Sequence, residues 1–347
     1  MHNFRLLPGL ALTAALAVVG AWLGGIDWFM SHGLSALTIA IVLGIIIGNS
    51  IYPRIAERSG SGVAFSKQTL LRAGIVLYGL RLTLHDIGHV GVAGVLIDAL
   101  VILTTFGLAH AFGHLIGLDR TSSTLIGAGS AICGAAAVMA TEPVVRAKPE
   151  QVTIAVSTVV VFGTLSMFLY PLLYGLNLHW ALLPAGADAF GIYAGSTIHE
   201  VAQVVAAGRS VSADTANTAV ITKLVRVMML APFLIGLSAW LLRGRPAVQG
   251  QVAAGSACKL PVPWFAFGFI AVVLFNSLSL LPAGVISIAI QLDTLLLAMA
   301  MAALGVSTHI RAVRQAGVKP LLLGSLLFVW LIVGGGSINR FVSGWLG

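Results

Sequence analysis

His199 and Glu200 stand side by side in AGSTIHEVAQVVAAG, a stretch otherwise built almost entirely of small and branched apolar residues. An adjacent His and Glu suggest three chemistries: a zinc site, a proton relay or an internal ion pair. A protease-type zinc helix needs a second His four residues after the first, so that both meet one metal from one helix face. Position 203 is Gln, and His110 with His114, which do have that spacing, lack the adjacent Glu. No metal and no cofactor is therefore expected. The chain has neither a GxSxG nucleophile elbow nor a Walker loop, so covalent hydrolysis and ATP-driven pumping lack their machinery and an enzyme is not expected.

The next residues able to do chemistry are Lys223 and Arg226 in AVITKLVRVMMLAP, whose i, i+3 spacing puts both cations on one helix face. Arg72 and Asp98 are further charges in apolar surroundings. A charge at the centre of a lone membrane span costs about 2.5–3.5 kcal/mol, so four unpaired ones would cost roughly 10 kcal/mol. They must pair, snorkel or line a wet cavity. Glu200 is a natural counter-ion for Lys223 or Arg226, and Arg72 sits close enough to a span end to snorkel.

The elements that hold these residues follow from composition. Of 347 residues 58% are hydrophobic and 9% charged, against roughly 25% charged in soluble domains. An all-α polytopic membrane protein is expected. Its apolar windows predict eleven spans, at 7–26, 33–51, 65–82, 91–117, 121–143, 149–175, 187–206, 214–242, 263–281, 288–307 and 319–342. The first window also has the look of a signal peptide after Arg5, but its length and the short loop to the next span favour a retained helix. With the N-terminus inside, eleven Lys and Arg fall on the inner side and five (Arg81, Arg146, Lys148, Arg209, Arg340) on the outer, with three within spans. That bias predicts a cytoplasmic N-terminus. The net charge of +8 is thus explained by loops and points to no nucleic acid. Cys133 and Cys258 are too few and too far apart for a disulfide framework.

Setting aside residues 1–32 as an N-terminal helix leaves ten spans, which divide into five-helix units over 33–175 and 187–342. Two successive five-span units have inverted topology, as in many secondary transporters. TSSTLIGA (121–128) and QLDTLLLA (291–298) share three identities in eight at the start of the fourth span of each unit. The fifth span, LIGAGSAICGAAAVMATEP, carries Gly127, Gly129 and Gly134 around Ser130 and Cys133. With Gly costing about 1 kcal/mol against Ala in a helix interior, a break near midplane is expected. It would leave free amides from Gly134 and Ala135 onward, an anion site, and carbonyls suited to a cation. In the tenth span Gly305, Ser307 and Thr308 mark either a second interruption or a helix end. Gly44 and Gly48 are read as close-packing positions.

GSAICGAAAVMA (129–140), AGSTIHEVAQVVAAG (194–208), TKLVRVMMLAP (222–232) and LLRAGIVLYGLRLTL (70–84) resemble the recurring blocks of the YeiH-type family, a bacterial membrane family labelled as sulfate exporters. The resemblance covers residues 30–340. It implies a fold near the bile-acid symporters and sodium/proton antiporters, with inverted five-helix repeats and two crossed, interrupted helices, which joins the N-terminal helix read from the spans.

The leading expectation is a secondary transporter in the bacterial inner membrane that moves a small anion, sulfate or a sulfur-containing organic anion. Gly129, Ser130, Cys133, Gly134, Ala135, Lys223, Arg226, Ser307 and Thr308 would bind it, and His199 with Glu200 would couple transport to protons. Its partners would be that anion, a coupling proton or sodium ion and the lipid bilayer, with room for a homo-oligomer. The first alternative is a sodium/proton-type cation exchanger, with Glu200 and Asp98 handling ions and Lys223 balancing helix dipoles. The second is a non-transporting sensor or scaffold.

Overall fold

The computed structural model describes residues 6–26, 28–29, 35–180, 186–243, 264–308 and 317–346, and all regular structure among them is helical. Among the described residues six helices are long and apolar enough to cross a membrane: Leu7–Gly24, Val90–Leu115, Pro149–Asn177, Ala213–Leu241, Ala283–Val306 and Val318–Trp345. The chain is a polytopic helical membrane protein, organised as two helix bundles side by side.

The first bundle contains α1 (Leu7–Gly24), α2 (Ala36–Ser50), α3 (Tyr52–Phe65), α4 (Leu71–Tyr78), α13 (Trp264–Ser277) and α14 (Ala283–Val306). A π-turn, Ser66–Leu70, joins α3 to α4, so helix runs almost unbroken from Tyr52 through the 3₁₀ turn Gly79–Arg81. Residues 52–64 read as a loop because Arg54, Glu57 and Arg58 interrupt the apolar pattern. They fold as helix because Tyr52, Ser59, Gly62 and Val63 supply a buried stripe that lies on α1. The α2–α14 contact is a backbone-to-backbone interlock. A Cβ on Gly44 would stand 2.3 Å from the Ala302 carbonyl oxygen, and one on Gly305 would stand 2.2 Å from that of Ile41. Gly305 is therefore a packing glycine. Helix α14 continues through Val306 and ends at Ser307, so the tenth span is not interrupted.

The second bundle contains α5 (Leu84–Leu115), α6 (Arg120–Ala131), α7 (Ala135–Val145), α8 (Pro149–Trp180), α9 (Ala187–Thr197), α10 (Val201–Arg209), α11 (Ala213–Met228), α12 (Leu230–Arg243) and α15 (Val318–Leu346). Two predicted spans in it behave differently from expectation. The windows 121–143 and 187–206 do not run straight through; each is a helical hairpin that re-enters from one side and returns to it. Had α6 and α7 continued in line, Val145 would lie about 38 Å from Asp119 at 1.5 Å per residue. Six extended residues span at most about 21 Å. Yet the Asp119 carboxylate accepts a hydrogen bond from Gln151 Nε2 at 2.8 Å, and a Cβ on Gly129 would stand 2.8 Å from Val138 Cγ2. The chain has turned back. The second hairpin closes the same way: Thr215 Oγ1 donates to the Ala187 carbonyl at 3.2 Å and Thr218 Oγ1 to Asp188 at 2.8 Å.

The hairpins enter from opposite sides. The mouth of α6–α7 lies with the Gly117 carbonyl and Lys319, bonded at 2.9 Å. The mouth of α9–α10 lies at the far end of α8, near Ser210, whose hydroxyl meets Thr38 at 3.1 Å. The fold thus has two interrupted elements, with the second in the seventh window rather than the tenth.

Candidate functional site

The tips of the two hairpins meet inside the second bundle, and α11 ties them together. Asp119 caps α6, accepting from Ser122 N–H at 2.9 Å. The helix stops at Ile132 because Gly134 takes φ 67°, ψ −134°. Only Gly suits that conformation, and a Cβ there would also strike Glu200 Cγ at 2.5 Å. In the second hairpin, α9 stops where Ile198 turns extended, and Glu200 restarts the chain as the N-cap of α10.

Each half-helix end is met by a charge of the chain's own. Lys223 Nζ donates to the Ile132 carbonyl at 2.6 Å and to the Ile198 carbonyl at 2.7 Å. Arg226 donates to the Ser196 carbonyl and, from Nη2 at 3.1 Å, to that of Ser130. Two cations thus clamp the negative ends of α6 and α9. Glu200 serves the positive ends. Its carboxylate accepts from Ala135 N–H at 3.3 Å, across the tip junction at the start of α7, and from the Gln203 backbone in a capping box at the start of α10. A helix end carries roughly half a charge, so the four ends and these three side chains form one electrostatic unit. Lys223 and Arg226 are fully buried and His199 is 1% exposed; Glu200 is half-buried and Ala136 beside it is exposed.

Several buried groups at the junction have no partner. Both Asp98 oxygens, Arg226 Nε, His199 Nδ1, Gln203 Nε2 and Asn339 Oδ1 are buried and unbonded. Asp98 lies within electrostatic reach of Arg226 and Lys223, and Asn339 of α15 donates to Ser196 Oγ at 3.1 Å. Each such group costs about 1–3 kcal/mol unless water or a ligand satisfies it. No other part of the described chain gathers so many.

The residues singled out from sequence divide cleanly. Gly129, Ser130, Cys133, Gly134, Ala135, His199, Glu200, Lys223 and Arg226 lie in the two tips or on the helix that clamps them. Cys133 is buried, and the bond recorded for Ser130 uses its carbonyl rather than its hydroxyl. Ser307 and Thr308 do not belong to the group. They end α14 in the first bundle, their hydroxyls donating to the Ala303 and Leu304 carbonyls of their own helix. The His/Cys/Asp/Glu side chains form no metal-holding group among the described residues. Sequence reading missed the Ile132, Ser196 and Ile198 carbonyls and Gln203. The signal was present: residues 126–140 and 192–206 share eight of fifteen positions at an offset of 66, including AGSAI against AGSTI. Lys223 bonds the two isoleucines of that pair of motifs and Arg226 the two serines.

These features define a class: a multi-pass helical membrane protein with two opposed re-entrant hairpins whose tips carry buried charge. The chain belongs to the family described as Conserved hypothetical protein 698, which matches residues 8–324. It is 60% identical over 337 residues to the UPF0324 membrane protein PA5383 of Pseudomonas aeruginosa, covering 97% of this chain and 94% of that one. It is 54% identical over 340 residues to the UPF0324 inner membrane protein YeiH of Salmonella typhimurium, and 53% identical over 340 to that of Escherichia coli K12, in each case covering 98% of this chain and 95% of the relative. No solved structure matches the chain.

Proposed function

We propose that this protein is a secondary transporter of the inner membrane that carries a small oxyanion together with a proton, with nine membrane crossings and two re-entrant hairpins. The carrying observation is the position of Glu200. Its carboxylate sits on the N-terminal amides of α7 and α10, where an anionic substrate would sit. It is a built-in stand-in for the cargo. Protonated, it loses its charge and with it the stronger, charge-assisted part of its hold on Ala135 N–H, and a substrate anion takes its place beside two fixed cations. Proton and anion then bind together because the proton cancels one negative charge of the anion: the charge of the unit is conserved for a monoanion such as a sulfonate, and sulfate adds one further negative charge beside Lys223 and Arg226. Sulfate is the first candidate cargo, and a small sulfonate or carboxylate meets the same chemistry.

The opposed hairpins support alternating access, with the second bundle shifting against the first. They also support the inner-membrane orientation. Because α6–α7 returns to its own side, Arg146 and Lys148 join the inner loops, and the charge count sharpens from eleven against five to thirteen against three. The inverted unit best supported is hairpin plus following helix, 120–180 against 187–243, within the longer units expected from sequence.

Purified protein in proteoliposomes tests the reading. An imposed pH gradient should drive labelled sulfate uptake, and Glu200→Gln should abolish that drive while leaving sulfate counterflow. Uptake indifferent to the gradient in the unsubstituted protein refutes proton coupling. A second reading, sodium/proton exchange, is favoured by one observation: Asp98 is fully buried with both oxygens unbonded. Sodium flux lost in Asp98→Asn and absent sulfate flux would establish it instead.

A further inference from the structure

A cleft of about 170 Å³ lies where the two bundles meet, at the mouth of the α9–α10 hairpin. From the first bundle it receives Ser35 and Leu37 at the start of α2, Arg81 beyond α4, and Thr294 and Leu297 of α14; from the second it receives Val205 and Arg209 of α10. Its charges are unequal. Arg81 is committed to α14: Nε holds Asp293 at 2.9 Å, and Nη2 reaches the Ile290 carbonyl at 3.2 Å and Thr294 Oγ1 at 2.8 Å. Its Nη1 takes no part in these bonds. Arg209 forms no ion pair among the described residues; its guanidinium lies over the Tyr78 ring, 5.8 Å from the centroid, and Arg81 lies 5.2 Å from the same ring. Tyr78 in turn donates to Asn217 of α11 at 2.9 Å. Among the described residues, the acid paired with these cations is Asp293, fully buried against Arg81. Two guanidinium groups therefore flank the cleft, with one carboxylate among the described residues, Asp293, paired to Arg81, while Leu37, Val205 and Leu297 give it an apolar wall.

We propose that this cleft binds a small organic oxyanion, a sulfonate or carboxylate, with its anionic group between Arg81 and Arg209 and its short apolar body on the leucine–valine wall. The size fits. At about 30 Å³ per water, the cleft holds the volume of five or six waters, the scale of a two- or three-carbon sulfonate. A bare inorganic ion would leave the apolar wall in contact with water. The site is separate from the hairpin tips, because Arg209 lies nine residues along α10 from Glu200, about 14 Å at 1.5 Å per residue. Since one wall comes from each bundle, the ligand bridges the surfaces that must part if the bundles shift. The proposal does not rest on the transport reading: a ligand binds this cleft whether or not the tips carry one.

Isothermal titration of the full-length protein in detergent with ethanesulfonate tests it, with sulfate as the comparison probe. Ethanesulfonate should bind more tightly than sulfate, and Arg209→Gln should weaken it at least tenfold. Arg209→Lys should retain part of the affinity and Ser307→Ala, at the far end of α14, all of it. Should Arg209→Gln misfold, Thr294→Trp fills the cleft from an exposed position and should abolish binding with the melting temperature kept. The proposal is overturned by no ethanesulfonate binding at millimolar concentration, by an Arg209-dependent sulfate affinity as tight as that for ethanesulfonate, or by unchanged ethanesulfonate affinity in Arg209→Gln.

Discussion

Replacing Lys223 with Met tests whether the cation clamps the hairpin tips. The ammonium makes two short bonds, 2.6 and 2.7 Å, to carbonyls 66 residues apart in sequence. Hydrogen bonds to a charged group contribute about 1.5–3 kcal/mol each. Met keeps the length and volume of the chain but leaves both carbonyls unbonded in a fully buried place. Against that loss stands a gain, because the substituted protein no longer desolvates an ammonium. Breaking a buried charged network by removing one partner costs about 3–5 kcal/mol net, and the low end applies since Arg226 still holds the Ser130 and Ser196 carbonyls. At roughly 2 °C per kcal/mol for a larger chain, the melting temperature should fall by about 6 °C. Detergent-solubilised protein followed by tryptophan fluorescence during heating measures it. Lys223→Arg should recover part of the loss. Because Lys223 and Arg226 hold the same two tips, the double replacement by Met should not give the sum of the single effects. A melting temperature within about 1 °C of the parent in Lys223→Met would show that the clamp does not hold the tips, and strictly additive losses would show two independent sites.

The remaining expectations bear on the turn-back, the tip and the residues set aside. In a background with Cys133 and Cys258 replaced by Ser, Glu150→Cys and Lys319→Cys should react with an impermeant maleimide from one side of the membrane and Asp214→Cys from the other; Glu150 labelling with Asp214 would restore a straight fifth span. Gly134→Ala combines a positive φ with a 2.5 Å clash on Glu200, a strain of about 1–3 kcal/mol, and should cut anion flux more than tenfold; full flux would remove the tip from the mechanism. Ser307→Ala and Thr308→Ala should leave flux unchanged and stability within about 0.5 kcal/mol, and a flux defect in either would return α14 to the site.

Much of the site was legible because its residues are chemically out of place. A His, a Glu, a Lys and an Arg in apolar runs cannot be left unpaired in a membrane, and pairing them with a Gly-rich break needs no coordinates. What escaped was the direction of the chain after the break. An apolar window of about twenty residues reads identically whether it crosses the membrane or enters and leaves by one side, since both bury the same surface. Gly305 misled for a related reason: small residues serve close packing and interruption alike, and only the opposing Ile41 carbonyl identifies the former.

The discriminating clue lay in the repeat of AGSAI and AGSTI, 66 residues apart. Two straight spans in the fifth and seventh positions would run in the same direction, with one complete span between them. An inverted pair then cannot be made from these two breaks. If each element instead turns back, one hairpin plus one crossing helix carries the chain from one face to the other, and the next such unit is inverted relative to it. The loop charges agree with that reading, because the turned-back topology groups Arg146 and Lys148 with the basic majority expected on one side. The differences between the two motifs then acquire meaning. Where the first tip has Cys133 and Gly134, the second has His199 and Glu200. The Gly leaves the space that the Glu fills, so the pseudo-symmetric halves meet through an asymmetric contact. One carboxylate caps both helices, so removing its charge, as in Glu200→Gln, acts on both tips at once.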